Sequence, residues 1–150
     1  MLKKLFIILI SGLILTSCAG QKNVTGGGSI AAGSQEDLIV NVGDRVFFEF
    51  DSFEITVDGQ STLDAQVAWL KQYSEVDITI EGHADERGTR EYNLALGAKR
   101  ANTVYNYLMD AGVANTRMNT VSFGKERPEV IGSTDSAWSQ NRRSVTTVTN

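Results

Sequence analysis

Segments with the repeat of a β-strand alternate with segments with the repeat of a helix from residue 45 to residue 149, and this order limits the fold more than any other feature. Val46, Phe48 and Phe50 recur at every second position, which predicts one buried face for the first strand. The predicted strands are residues 45–50, 76–81, 118–123 and 144–149. The predicted helices are residues 58–73, 89–111 and 135–141. Because no hairpin signal joins neighbouring strands, we expect an α/β sandwich, an α+β arrangement in which one sheet carries helices on one face.

The first long helix has a clear internal pattern. Leu63, Val67 and Leu70 recur at the spacing of one helix face and predict its buried side. Ser61 and Asp64 lie three residues apart near its start, and this spacing predicts a capping box.

The N-terminal segment has the composition of an export signal. Residues 1–4 include two lysines, and residues 5–15 are mostly apolar; such a run is shorter than the roughly 20 residues that cross a bilayer. The run ends in Leu15-Thr16-Ser17-Cys18, which resembles the bacterial lipobox. The resemblance implies removal of a signal peptide, residues 1–17, and lipidation of Cys18, the only cysteine of the chain. An ordinary secretory signal with a chance cysteine is the alternative.

The residues after Cys18 predict where the anchor lies and how far it reaches. Ala19 stands where an aspartate would mark retention in the inner membrane, so we expect an outer-membrane anchor with the domain facing the periplasm. Residues 18–43 are rich in Gly, Ser, Ala, Asn and Gln, which is typical of a flexible linker after the lipidated cysteine. The remaining residues, 44–150, are predicted to form the folded domain.

Charge and residue content exclude several classes of function. The formal net charge is −4, whereas nucleic-acid binding needs clustered positive charge. His83 is the only histidine, so a hydrolase zinc site with two or more histidines cannot be built. No Ser-His-acid set has supporting context. We therefore expect no catalytic residue, no metal and no cofactor.

The stretch Gly82-His83-Ala84-Asp85-Glu86-Arg87-Gly88-Thr89 carries the strongest functional signal. It leaves the second predicted strand and enters the long helix, and ligands commonly bind at such strand ends in open α/β sheets. Asn93, Gly97 and Arg100 follow at the spacing of one helix face. A glycine inside a helix costs about 1 kcal/mol relative to alanine, so Gly97 predicts a close approach to the helix backbone.

This layout resembles the OmpA-like peptidoglycan-binding domain, in the form found in peptidoglycan-associated lipoproteins (Pal). The resemblance covers residues 44–148 and includes Phe48-Glu49-Phe50-Asp51 and Asn141-Arg142-Arg143. Gly97 departs from the family pattern, which usually has serine there. The resemblance implies one mixed sheet of about four strands. It also implies a non-enzymatic protein of the Tol-Pal system that tethers the outer membrane to peptidoglycan during envelope maintenance and cell division, with TolB and other Tol proteins as partners.

The resemblance also implies which residues bind the wall. The ligand would be the meso-diaminopimelate of a peptidoglycan stem peptide, whose far end carries an amine and a carboxylate on one carbon. Asp85 would take the ammonium and Arg100 the carboxylate, for which the planar guanidinium is suited. The groove would also be lined by Asp51, Phe50, His83, Thr89, Asn93, Leu96 and either Arg142 or Arg143. At most one of these two arginines should face the groove, because adjacent residues in a strand point to opposite faces.

Simpler interpretations of these residues stay open at the level of the sequence. Asp85 could cap the following helix, and Arg100 could be a solvated or salt-bridged surface residue. His83 could order the loop through a hydrogen bond instead of contacting a ligand. The alternative function is a docking module that acts mainly through envelope proteins of the TolB type.

Overall fold

The computed structural model describes residues 30–150, and one four-stranded sheet organises them. Its strands are β1 (Arg45–Phe47), β2 (Ile78–His83), β3 (Met118–Gly124) and β4 (Arg143–Val148). They lie in the order β1-β4-β2-β3. β2 and β3 are parallel, whereas β4 is antiparallel to both β1 and β2. The sheet is therefore mixed, and the predicted fold class is confirmed.

Helices cover one face of this sheet. The helical segments are α1 (Gln35–Asp37) with a π-helical turn (Leu38–Val42), α2 (Val57–Gln72), α3 (Arg90–Asp110), a 3₁₀ turn (Asn115–Arg117) and α4 (Asp135–Asn141). The core joins α2 and α3 to β2 through fully buried side chains: Leu63, Leu70, Ile78, Ile80, Val104 and Leu108. Val67 is also buried, so the predicted apolar face of α2 is confirmed. Among residues 30–150, no helix is long and apolar enough to span a membrane.

Two glycines let α3 lie directly on the sheet. A Cβ atom on Gly97 would come within 2.4 Å of Ser122 Oγ and 2.8 Å of the Gly82 carbonyl oxygen. The predicted close approach to the α3 backbone is confirmed, and its partner is the end of β2. This contact fixes the start of α3 beside the loop that follows β2.

The first strand is shorter than predicted. β1 ends at Phe47, and although Phe48 is still buried, Phe50 is 61% exposed. The chain turns at Asp51, whose φ of 55° is incompatible with a strand. The prediction that Phe50 shares the buried face with Val46 and Phe48 is therefore wrong.

The start of α2 and the end of β2 also differ from the predictions. The N-cap of α2 is Thr56, whose side chain accepts a hydrogen bond from the Gly59 N–H at 3.1 Å. Ser61 and Asp64 lie inside the helix, so the predicted capping box is wrong. β2 continues beyond Glu81 to His83, so Gly82 and His83, the first two residues of the predicted loop, belong to the strand.

The folded part begins before residue 44. Leu38 is fully buried, and the Asp37 carboxylate accepts a hydrogen bond from Trp69 Nε1 at 2.9 Å. Residues 34–42, which were assigned to the linker, are thus anchored to α2, and the linker boundary at 43 is wrong. The predicted signal peptide, Cys18 and the first part of the linker lie outside the described residues.

Candidate functional site

A pocket of about 200 Å³ lies where β2 ends and α3 begins. Its walls come from the loop after β2, the first three turns of α3, the β1–α2 loop and the residue before β4. The predicted residues that line it are Phe50, Asp51, Asp85, Asn93, Leu96, Arg100 and Arg142. The structure therefore brings together seven of the predicted residues from four separate segments of the chain.

Asp85 is a buried carboxylate with cations on both oxygens. Its Oδ1 accepts from the Arg87 backbone N–H at 3.1 Å and from Arg87 Nε at 3.2 Å. Its Oδ2 lies 2.6 Å from Arg87 Nη2 and 3.5 Å from Arg142 Nη1. Burial alone would raise the pKa of Asp85, but the hydrogen bonds and charge of Arg87, with Arg142, lower it below its ordinary value. Asp85 is ionised, and it does not cap α3.

Arg100 forms the base of the pocket. Its guanidinium is fully buried and donates to three backbone carbonyls, those of Ser52 at 2.8 Å, His83 at 2.8 Å and Glu49 at 3.2 Å. Burial, with the nearby charge of Arg142, lowers the pKa of Arg100 to about 10, which leaves it protonated at neutral pH. A guanidinium has five N–H donors, so two remain for another acceptor. The interpretation of Arg100 as a solvated surface residue is wrong.

Of the two adjacent arginines, only Arg142 lines the pocket. Its Nε donates to the Phe48 carbonyl at 2.9 Å, and its Nη1 approaches Asp85. Arg143 is buried elsewhere and pairs with Glu129 at 3.3 Å. The expectation that at most one of them faces the groove is confirmed.

His83 and Thr89 do not line the pocket. The His83 ring is 2% exposed, packs on Phe123 and lies 3.3 Å from Glu81. Burial first, and then the charges of Arg143 and Arg127, lower the pKa of His83 to about 4, so it is neutral at physiological pH. Thr89 is the N-cap of α3, where its side chain accepts from the Tyr92 N–H at 3.1 Å.

Arg87 and Tyr92 also line the pocket, although they are not among the residues predicted from the sequence. The Arg87 guanidinium lies between the rings of Phe50, at 4.2 Å, and Trp138, at 4.0 Å. The Tyr92 hydroxyl donates to Asp51. Tyr92, Leu96 and Arg100 follow each other at four-residue spacing, which places them on one side of α3 and could have identified Tyr92. Ala84 and Gly88 complete the lining.

The chemistry of the pocket suits a ligand that carries both a positive and a negative charge. Two carboxylates, those of Asp51 and Asp85, and three guanidiniums surround a space with apolar walls from Phe50 and Leu96. Within residues 30–150, no three His, Cys, Asp or Glu side chains come close enough to hold a metal ion. The carboxylates and guanidiniums of the pocket offer charge pairing and hydrogen bonds to such a ligand.

Comparisons with known proteins agree on one group of relatives. The OmpA family model matches residues 47–142, a segment that contains every residue of the pocket. A peptidoglycan-associated lipoprotein of Rhizobium meliloti is 53% identical over 148 residues, covering 93% of this chain and 84% of that protein. One from Mesorhizobium japonicum is 49% identical over 150 residues, covering 95% and 89%. The crystal structure of the peptidoglycan-associated lipoprotein from Burkholderia pseudomallei has a TM-score of 0.70 at 38% identity and covers 75% of this chain and 100% of that chain.

Proposed function

The chain belongs to the OmpA family, and because its relatives are peptidoglycan-associated lipoproteins, we propose that it binds peptidoglycan non-covalently from the outer membrane. It is a binding protein and not an enzyme. The observation that carries the proposal is the pocket in which the ionised Asp85 lies beside the guanidiniums of Arg100 and Arg142. We take the ligand to be the diaminopimelate end of a stem peptide.

The two charges of that ligand fit the two kinds of group in the pocket. Its ammonium would pair with Asp85, whose pKa is already held low, so the carboxylate stays charged at the pH of the envelope. Its carboxylate would accept from the two free N–H groups of Arg100 and from Arg142. The methylene chain between the charges and the peptide would pack on Phe50 and Leu96.

The proposed role is mechanical. Lipid on Cys18 would hold one end in the outer membrane while the domain, facing the periplasm, holds a stem peptide. Because the folded part begins near residue 34, the tether is residues 19–33, which can extend to at most about 50 Å. This reach is shorter than a linker ending at residue 43 would allow. Reversible binding would let the two layers separate during cell division.

A second proposal is protein docking at the same surface. Phe47, Phe50, Phe53 and Tyr92 are 40–61% exposed, and the last three lie beside the pocket. Exposed aromatic side chains of this kind are enriched at protein interfaces. Partners of the Tol system, TolB first among them, would then compete with peptidoglycan. Binding of both ligands to one domain with no mutual effect on affinity would contradict this proposal.

Sedimentation with purified sacculi tests wall binding. We expect the chain from residue 19, which lacks Cys18, to sediment with sacculi, and Asp85→Asn to stay in solution. Asp110→Asn is the matched control, because Asp110 is an exposed residue at the opposite end of α3 from the pocket. Circular dichroism establishes that each variant is folded. If Asp85→Asn sediments like the wild type, the assignment of the pocket is wrong.

A further inference from the structure

The Arg87 guanidinium is bonded to the Asp85 carboxylate, which the proposed function assigns to the ammonium of the ligand. Its Nε and Nη2 donate to the two oxygens of Asp85 at 3.2 and 2.6 Å, which is a bidentate pair. The Arg87 backbone N–H adds a third bond to Oδ1 at 3.1 Å. A ligand ammonium cannot reach Asp85 at these positions without displacing the Arg87 guanidinium.

Among the three arginines of the pocket, Arg87 is the one whose surroundings permit such a displacement. Its side chain is 33% exposed, compared with 14% for Arg142. Arg142 is also tied to the Phe48 carbonyl, and Arg100 is fully buried with three backbone partners. Arg87 has no carbonyl partner among its described hydrogen bonds; the carboxylate and two aromatic rings hold it.

The aromatic rings allow the guanidinium to move without losing all its contacts. Phe50 and Trp138 face it at 4.2 and 4.0 Å, and cation–π attraction extends to about 6 Å from a ring centroid. Trp138 is itself fixed by a hydrogen bond from its Nε1 to Glu86 at 3.0 Å. The guanidinium can therefore slide off Asp85 while it stays at the pocket mouth, where a ligand carboxylate would arrive.

Resting on the proposed function, we propose that Arg87 is a specificity-determining residue that releases Asp85 only to a ligand that brings a carboxylate together with its ammonium. A diaminopimelate end replaces both halves of the Asp85–Arg87 pair. Its ammonium takes Asp85, and its carboxylate, which accepts from Arg100 and Arg142, has lone pairs left to accept from the displaced Arg87 guanidinium as well. A lysine end carries the ammonium alone. A bound lysine end would leave the displaced Arg87 guanidinium without an anionic partner. The loss of the Asp85–Arg87 pair therefore disfavours binding of a lysine end.

Calorimetry with two synthetic stem tripeptides tests this inference. The peptides differ only in the third residue, which is meso-diaminopimelate in one and L-lysine in the other. The quantity measured is the ratio of the two dissociation constants. We expect Arg87→Gln to lower the preference for diaminopimelate about fivefold, the upper end of what a partly exposed ion pair contributes, through tighter binding of the lysine peptide. Arg87→Ala is the second variant, since the glutamine amide could itself bond to Asp85.

Arg90→Gln is the matched control. Arg90 is three residues away, its side chain is 73% exposed, and it pairs with Glu126 instead of Asp85, so its loss removes the same charge from the neighbourhood. The inference is overturned if the ratio is unchanged in both Arg87 variants, or if Arg90→Gln lowers it equally. If the wild type binds neither peptide, the proposed function itself fails. If the wild type binds diaminopimelate and the Arg87 variants keep its selectivity, only the inference fails.

Discussion

A Cβ atom on Gly82 would lie 1.8 Å from the carbonyl oxygen of Gly97. The end of β2 and the middle of α3 are therefore in direct backbone contact, and this contact sets the distance between the Asp85 loop and Arg100. The pocket depends on a pair of residues that contribute no side chain to it.

Replacement of Gly82 by alanine should destabilise the whole domain. The clash is with backbone, so α3 must shift, and we expect the free energy of unfolding to fall by at least about 2 kcal/mol. Urea denaturation at 25 °C measures it. Asn102→Ala on the exposed side of α3 is the control and should change stability by no more than about 0.5 kcal/mol. A Gly82→Ala variant as stable as the control would contradict the account of this contact.

The helix cap of α2 gives a paired prediction. Thr56→Ala removes the acceptor for the Gly59 N–H and should cost about 1 kcal/mol. Ser61→Ala changes an exposed residue inside the helix and should have almost no effect. Thermal unfolding of both variants compares them. The reverse order of stabilities would restore the capping box predicted from the sequence.

The N-terminal boundary of the domain can be tested in the same way. Leu38 is fully buried, so Leu38→Ala should lower the free energy of unfolding by about 2–4 kcal/mol. Its neighbour Ile39 is 47% exposed, and Ile39→Ala should lower it by less than about 1 kcal/mol. Equal effects of the two substitutions would mean that this segment is not part of the core.

The single histidine predicts how stability changes with pH. The pKa of His83 is about 4 in the folded chain, below its ordinary value of 6.5, so between these values the unfolded chain binds more protons. The free energy of unfolding should therefore fall as the pH drops from about 6.5 to about 4, by up to ~3 kcal/mol in total. Denaturation at pH 7 and pH 5 compares the wild type with His83→Gln, in which this slope should be absent. Identical slopes would show that the folded histidine titrates normally.

The main elements could be predicted because their patterns are strong and local. Leu63, Val67 and Leu70 marked the buried face of α2, and the predicted bounds of α4, residues 135–141, match the structure. The end of β1 could not be predicted, because it depends on the turn at Asp51 and on the aromatic contact between Phe50 and Arg87. The linker boundary failed for a similar reason, since the burial of Leu38 needs a partner surface that comes from α2.

The site could be predicted in part because the motif is contiguous along β2, its loop and α3. His83 was misplaced because the predicted strand stopped at Glu81. Had it extended to residue 83, the alternation of side chains would have placed His83 on the face opposite Ile78 and Ile80, away from α3. Arg87 was missed because its role rests on Trp138, which α4 brings from 51 residues further along the chain.

Binding of stem tripeptides with a free or an acetylated diaminopimelate side-chain amine tests the central claim most directly, because acetylation removes the charge that Asp85 would pair with. Calorimetry should give at least about tenfold weaker binding of the acetylated peptide to the wild type, the loss expected for a charge-assisted pair in a partly buried site. The same comparison with Asp85→Asn should show little difference between the peptides. Equal affinity of the wild type for the free and acetylated peptides would contradict the assignment of this pocket to the ammonium group.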